Sequence, residues 1–224
     1  DLIRREEVSV EGVVTTKPAL RVRPAAMLTV RSGAGDYVSR GALKLRAALE
    51  AFSFLAKGRV VIDIGASTGG FTEVLVAEGA VKVYAVDSGS GQLHPSLRDH
   101  PAIVNLERTD ARLLTRADVP EPVSAVVADV SFTSLTKVLP VPLSLAAADC
   151  WFVGLIKPQF ETGREAVPRH GVVFDTAVHE RAVRDVRTWV SNQSGWRVAG
   201  LIESPIKGGD GNTEFLIGAV PRGE

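Results

Sequence analysis

The chain has 224 residues, 45% apolar and 23% charged, a balance that fits one sizeable globular core and excludes a disordered or fibrous chain. Net charge is zero, which excludes a uniformly basic polyanion-binding coat. The charge is uneven, however: residues 1–60 hold 11 Lys/Arg against 6 Asp/Glu and residues 61–224 hold 15 against 20, so the N-terminal side suits an anionic partner.

Residues 8–31 are rich in β-branched residues and broken by Gly12, Pro18 and Pro24, which predicts short strands with turns and too little chain for an independent core. Ser32–Asp36 reads as a linker of small residues. A helix is expected over 39–52, with Ser39 as N-cap and Leu43, Ala47 and Phe52 near one face. The apolar run RVVIDIG that follows suits a strand buried on both faces. A helix over 70–78 and strands over 81–86, near 102–106, over 123–128 and over 151–156 continue the pattern. A helix over 175–194 carries Val178, Ala182, Val186 and Val190 at four-residue spacing, and strands over 196–202 and 213–220 close the chain.

Strand and helix in alternation predict an α/β fold with a doubly wound, mostly parallel sheet of seven strands. The last two strands are joined by a short Gly-rich connector, KGGDGN at 207–212, suited to a hairpin, so the final strand should run antiparallel. That departs from the simple dinucleotide fold and matches the Rossmann-like class I methyltransferase variant of it.

Cys150 is the one cysteine, which excludes an internal disulfide and points to a reducing, cytoplasmic setting. His94, His100, His170 and His179 lack metal-ligand spacing, so no protein-bound metal is expected. The longest weakly polar stretch, Val138 to Ala148, carries two prolines and is too short to span a bilayer. The start at Asp1 reads as a piece of a longer protein.

The strongest motif runs from Asp63 through Gly65, Ser67, Thr68, Gly69, Gly70 and Phe71 to Thr72, directly after the first buried strand and opening a helix. Glycines there permit a tight turn and a close approach of backbone to ligand. Asp87, ending the next strand, can accept hydrogen bonds from both hydroxyls of a ribose. A nicotinamide or flavin site would want G-x-G-x-x-G, with the pyrophosphate on the helix N-terminus. Here Gly65-x-x-x-Gly69-Gly70 stands behind an acidic Asp63, which suits a cofactor with a cationic amino-acid end, as S-adenosylmethionine has.

Asp129 and Lys157 end strands of the parallel set, and Glu214 begins the antiparallel one, so all three should meet at the sheet edge where ligands bind. Lys44, from the preceding helix, can reach over the same edge. A hydroxyl nucleophile must lose its proton as it attacks a methyl group in line, and a lysine serves as base when desolvation or a second cation favours its neutral form. Lys44 would supply that cation, with Asp129 and Glu214 orienting the ammonium groups.

The segments SRGALKL, DIGASTGGFT, VDSGSGQLHPSLR, ADVSFTSL, LIKPQFE and GNTEFL together resemble the TlyA group of ribosomal-RNA 2′-O-methyltransferases, which have an FtsJ-like domain and are often labelled haemolysins. The resemblance covers nearly all of residues 37–224. It implies that Lys44, Asp129, Lys157 and Glu214 are a catalytic Lys-Asp-Lys-Glu tetrad, and that Gly69, Phe71, Asp87, Asp110 and Asp129 line the S-adenosylmethionine pocket. It further implies that residues 1–35 are the closing part of an S4-like RNA-binding domain plus linker, that 36–224 form the methyltransferase domain, and that ribosomal RNA (16S, 23S or both) or a ribosomal subunit is the partner. The alternatives are a haemolysin-type membrane-active protein and a methyltransferase of a non-RNA substrate. No stable membrane partner is expected, for want of a spanning segment or a lysine-rich amphipathic helix.

Overall fold

A computed structural model of the chain describes residues 3, 8–30, 37–163, 165, 167, 168 and 171–222. The Ser32–Asp36 linker, the division at 35/36 and His170 lie outside the described residues.

The N-terminal segment forms a three-stranded antiparallel sheet of β1 (Val8–Val10), β2 (Val13–Val14) and β3 (Leu28–Val30), in the order β2-β1-β3. The first hairpin turns on Glu11 and Gly12, both at positive φ (50° and 78°), the two-residue turn whose twist matches flanking strands. Val13, Met27 and Leu28 are exposed, in keeping with a segment too short to cover its own apolar side chains.

The remaining elements are α1 (Gly41–Phe52), β4 (Val60–Ile64), α2 (Gly70–Ala77), β5 (Lys82–Val86), α3 (Pro95–Arg98), β6 (Ile103–Leu106), β7 (Val123–Ala128), α4 (Leu135–Val138), α5 (Pro140–Ser144), β8 (Ala146–Ile156), α6 (Pro158–Glu161), α7 (Thr176–Asn192), β9 (Trp196–Glu203) and β10 (Phe215–Pro221). A 3₁₀ turn at Ala111–Leu113 precedes β7. One seven-stranded sheet runs β6-β5-β4-β7-β8-β10-β9. Strands β4 to β8 are mutually parallel, and β10 pairs antiparallel with both β8 and β9.

Alternation along each strand divides the core between two faces. On one, Val61, Val83, Val127 and Leu155 pack under α1 and α2; on the other, Ile62, Tyr84, Val126 and Phe152 pack under α4, α5 and α7. Each such side chain contributes roughly 1.5–3 kcal/mol through apolar surface removed from water. Val186 and Val190 of α7 are buried as the four-residue spacing predicts. No helix of the described residues is long and apolar enough to cross a membrane.

The structure departs from the sequence reading in four places. In α1 the buried face is Ala42, Lys44, Leu45, Ala48 and Leu49, whereas Leu43, Ala47 and Phe52 are half-buried. A lysine inside the buried stripe shifts the apparent apolar phase. Arg40, already helical at φ −62°, takes the cap position of α1 without a side-chain cap; Ser39 Oγ accepts from the Gly41 N–H at 3.2 Å. Strand β8 begins at Ala146 rather than 151. The connection from β9 to β10 occupies 204–214, longer than a tight hairpin, because Asn212 is drawn aside: its Oδ1 accepts from the Val173 N–H at 2.9 Å and its Nδ2 donates to the Gly171 carbonyl at 3.0 Å.

Candidate active site

The chain crosses from β4 to α2 at the sheet's switch point, where β5 and β6 lie to one side and β7 to the other. Gly65 takes φ +78°, and a Cβ there would stand 2.4 Å from the Asp129 carbonyl oxygen, so only glycine lets the turn pass this close to the end of β7. The N–H groups of Gly65 and Ala66 both donate to the Val86 carbonyl, at 2.9 and 3.1 Å, and that of Gly69 donates to the Ala66 carbonyl at 2.8 Å.

Asp87, following β5, holds the turn from outside. Its Oδ2 accepts from the Ser67 N–H at 2.8 Å and its Oδ1 from the Gly89 N–H at 2.7 Å. Each oxygen keeps a second lone pair for a ligand. Glu107 organises the next loop in the same way, accepting from the N–H groups of Gly91, Gln92 and Leu93 at 2.6–3.0 Å. Those bonds hold its carboxyl down at about 2. Asp110 is engaged by the Arg112 guanidinium and backbone N–H, which lower it to about 2.

Two cavities open along this edge. The larger, about 720 Å³, is bounded by Asp87, Gln92, Asp110 and Val138; the smaller, about 410 Å³, by Lys44, Thr68, Phe71 and Lys157. Gly65, Ser67, Asp129 and Ser131 belong to both, so the two spaces share a wall.

Two ion pairs, one buried and one half-buried, stand at the smaller cavity, which Lys44, Asp129 and Lys157 line. Lys44 Nζ donates to Glu214 Oε2 at 2.5 Å, joining α1 to the residue before β10. Lys157 Nζ lies 2.6 Å from Asp129 Oδ1, joining the ends of β8 and β7, and donates a hydrogen bond to Ser131 Oγ at 3.0 Å. Parallel β7 and β8 end together and antiparallel β10 begins where they end, so four residues scattered over the chain converge at one edge.

Of the cofactor-binding candidates, Gly65, Ser67, Asp87, Asp110 and Asp129 line the larger cavity, and Thr68, Gly70 and Phe71 line the smaller. Asp63 and Gly69 line neither. Asp63 is wholly buried beneath the turn; its Oδ2 accepts from Thr72 Oγ1 at 2.6 Å, and its Oδ1 has no hydrogen-bond partner among the described residues. Burial pushes its carboxyl up to about 7, with the nearby Asp129 and Asp87 charges adding to the effect and the Thr72 bond opposing it. Gly69, at φ +98°, faces the Leu93 and Leu97 side chains.

Sequence reasoning missed Ser131, Glu161 and Arg40. Glu161 accepts from Ser134 Oγ at 2.5 Å and from the Leu135 N–H at 2.9 Å, tying α6 to the loop after β7. Arg40 Nη2 donates to the Lys207 carbonyl at 2.8 Å, bridging the start of α1 to the β9–β10 loop. The signal was there in part: all three stand within segments singled out for other residues.

Residues 37–220 match the FtsJ-like methyltransferase family. The chain is 45% identical over 218 residues to a 16S/23S rRNA (cytidine-2′-O)-methyltransferase, TlyA, of Mycobacterium tuberculosis, covering 97% of this chain and 81% of that protein. A crystal structure of a hemolysin candidate from Lactococcus lactis superposes with a TM-score of 0.80 at 42% identity, covering 84% of this chain and 90% of the other. The magnesium protoporphyrin IX methyltransferase of Synechocystis with bound S-adenosylhomocysteine, at 15% identity, TM-score 0.56 and coverage of 82% and 83%, shares the fold.

Proposed function

The chain belongs to the FtsJ-like methyltransferase family, and on that premise we propose that it methylates a ribose 2′-hydroxyl of ribosomal RNA with S-adenosylmethionine as donor. The observation that carries the proposal is that Lys44, Lys157 and Asp129, each held in a Lys–carboxylate pair, line a cavity that shares a wall with a larger, carboxylate-lined one.

The larger cavity fits this cofactor better than a dinucleotide. The N–H groups of Gly65, Ala66, Ser67 and Gly69 are all spent on acceptors within the protein, which leaves none of them for a pyrophosphate. Asp87 would repel phosphate and attract a cation, while Arg112 and Lys157 offset much of the charge of Asp110 and Asp129. Asp87 would accept from the ribose hydroxyls and Asp110 would lie at the adenine end, while Ser67, Thr68, Gly70, Phe71 and Asp129 would flank the amino-acid and sulfonium end. Asp63 and Gly69 serve the pocket by shaping the turn. When bound, S-adenosylmethionine supplies an electrophilic methyl group on a cationic sulfur.

Lys157, in its neutral amine form, takes the proton from the 2′-hydroxyl, and Asp129 stabilises the ammonium that results. Lys44, its charge countered by Glu214, orients the nucleotide from the other side of the cavity. Much of the acceleration comes from holding hydroxyl and methyl in line. The basic N-terminal side, including residues 1–35 read as an S4-like remnant, faces the RNA, and a ribosomal substrate places the work in the cytoplasm.

Tritiated methyl transfer to intact small and large subunits from a strain lacking the enzyme, followed by mapping of the modified ribose, tests this. The expected result is label at a ribose 2′-oxygen with the wild-type chain and none with Lys157→Ala, which keeps its cofactor affinity. Label on a base, or undiminished transfer by Lys157→Ala, overturns the assignment.

A further inference from the structure

We infer that Ser131 is a positioning residue for Lys157, holding its amine aimed along the shared wall whichever protonation state the amine is in. The inference rests on the proposed reaction and concerns a residue that reaction has not yet used.

Lys157 has two polar neighbours of different kinds. Asp129 Oδ1 is close, at 2.6 Å, yet this buried oxygen has no aligned hydrogen bond from any donor among the described residues. It offers charge without direction. Ser131 Oγ, at 3.0 Å, receives the hydrogen bond that gives Nζ a direction.

The two also differ in what they do when the proton moves. A carboxylate only accepts, so Asp129 favours the ammonium. A hydroxyl oxygen is a neutral acceptor that serves either protonation state. Ser131 accepts an N–H from the ammonium, and because the neutral amine still carries two N–H groups it accepts one of those as well, which leaves the amine lone pair free for the 2′-hydroxyl. As the 2′-hydroxyl O–H bond breaks and a new N–H bond forms at that lone pair, the bond to Ser131 keeps its sense and the nitrogen stays where it was.

The surroundings hold Ser131 at this position. Its loop is fixed at the far end by Glu161, and Glu161 belongs to α6, which starts at the residue after Lys157. The lysine and the serine are thereby tied to a common support. Phe132, adjacent to Ser131, sits at φ +64°, a conformation a non-glycine residue keeps only where its surroundings impose it. Ser131 also borders both cavities, and the Lys157 it holds lines the smaller one, so the nitrogen is held in the smaller cavity by a residue of the wall the two share.

The test compares the wild-type chain with Ser131→Ala and Ser131→Thr. Its readouts are single-turnover methyl transfer, cofactor Kd by calorimetry, and the ¹H–¹³C resonance of the Lys157 ε-methylene, identified by its loss in Lys157→Ala. Ser131→Ala should slow transfer by roughly 10–100-fold through misalignment. Its cofactor Kd should stay within about threefold of wild type, the pattern of an interaction made at the chemical step. The Lys157 resonance should move, and Ser131→Thr, which keeps the hydroxyl, should restore rate and resonance together. An unmoved resonance, an unchanged rate, or a Kd that rises in step with the loss of rate each overturns the inference. Should the wild-type chain methylate no ribosomal RNA, the functional reading fails, while the resonance still decides whether Ser131 directs Lys157.

Discussion

Lys44 Nζ and Glu214 Oε2 stand 2.5 Å apart with side chains only 9% and 3% exposed, and 170 positions of sequence separate them. The pair ties α1 to the residue before β10, and its Lys44 walls the smaller cavity. Two charges buried this deeply are tolerated because each neutralises the other. Lys44→Ala or Glu214→Gln alone should therefore destabilise the fold by about 3–5 kcal/mol, since each strands a buried partner. The double variant Lys44→Met/Glu214→Leu should recover most of that loss while remaining inactive. Urea unfolding of the three variants checks this, and a double variant no more stable than the singles would show that the cost lies in packing.

Asp87 and Asp110 face the same cavity but differ in how far they are committed. Asp87 gives one lone pair on each oxygen to loop N–H groups, whereas Asp110 is taken up by the Arg112 guanidinium as well. Asp87→Ala should weaken S-adenosylmethionine binding by roughly 10–100-fold, the loss of hydrogen bonds to a charged acceptor at about 1.5–3 kcal/mol. Asp110→Ala should cost less, because part of that carboxylate's capacity is already spent. Calorimetric titration of each variant gives the ranking directly, and equal losses would contradict it.

Asp63 makes stability depend on pH in an unusual direction. With its carboxyl raised to about 7 by burial, the folded protein holds a proton that the unfolded chain releases near 4. The folded state thus binds more protons between those values. This contribution is fully present below about pH 4 and is lost as pH climbs towards 7, at up to about 1.4 kcal/mol per pH unit. Asp63→Asn, neutral throughout, should lack that decline. Urea midpoints for both proteins across this range measure the difference, and parallel curves would mean that Asp63 is ionised in the folded state.

Much of the fold was legible because it is written in local chemistry. Apolar runs such as RVVIDIG can only be strands covered on both faces, and their alternation with helices leads to a parallel sheet. The antiparallel last strand followed from the absence of a helix in the connection before it. The turn from Asp63 to Phe71 announced itself by glycines whose conformations few other residues adopt. Less legible was anything that depended on a polar residue spending its polarity inside. Lys44 lies in the buried stripe of α1, so the hydrophobic phase read from Leu43 and Ala47 was out of step with the face that packs.

By itself the sequence determined the α/β architecture, the glycine turn and the set of polar residues able to meet at one edge, since alternation, turn chemistry and strand ends are properties of near neighbours. The tertiary structure alone decided who pairs with whom: Lys44 with Glu214 rather than Asp129, Lys157 with Asp129 and also with Ser131, and Asp63 withdrawn beneath the turn with Thr72. Those partnerships depend on strand order and register across the whole sheet, and a few ångströms there separate a buried ion pair from two solvated charges.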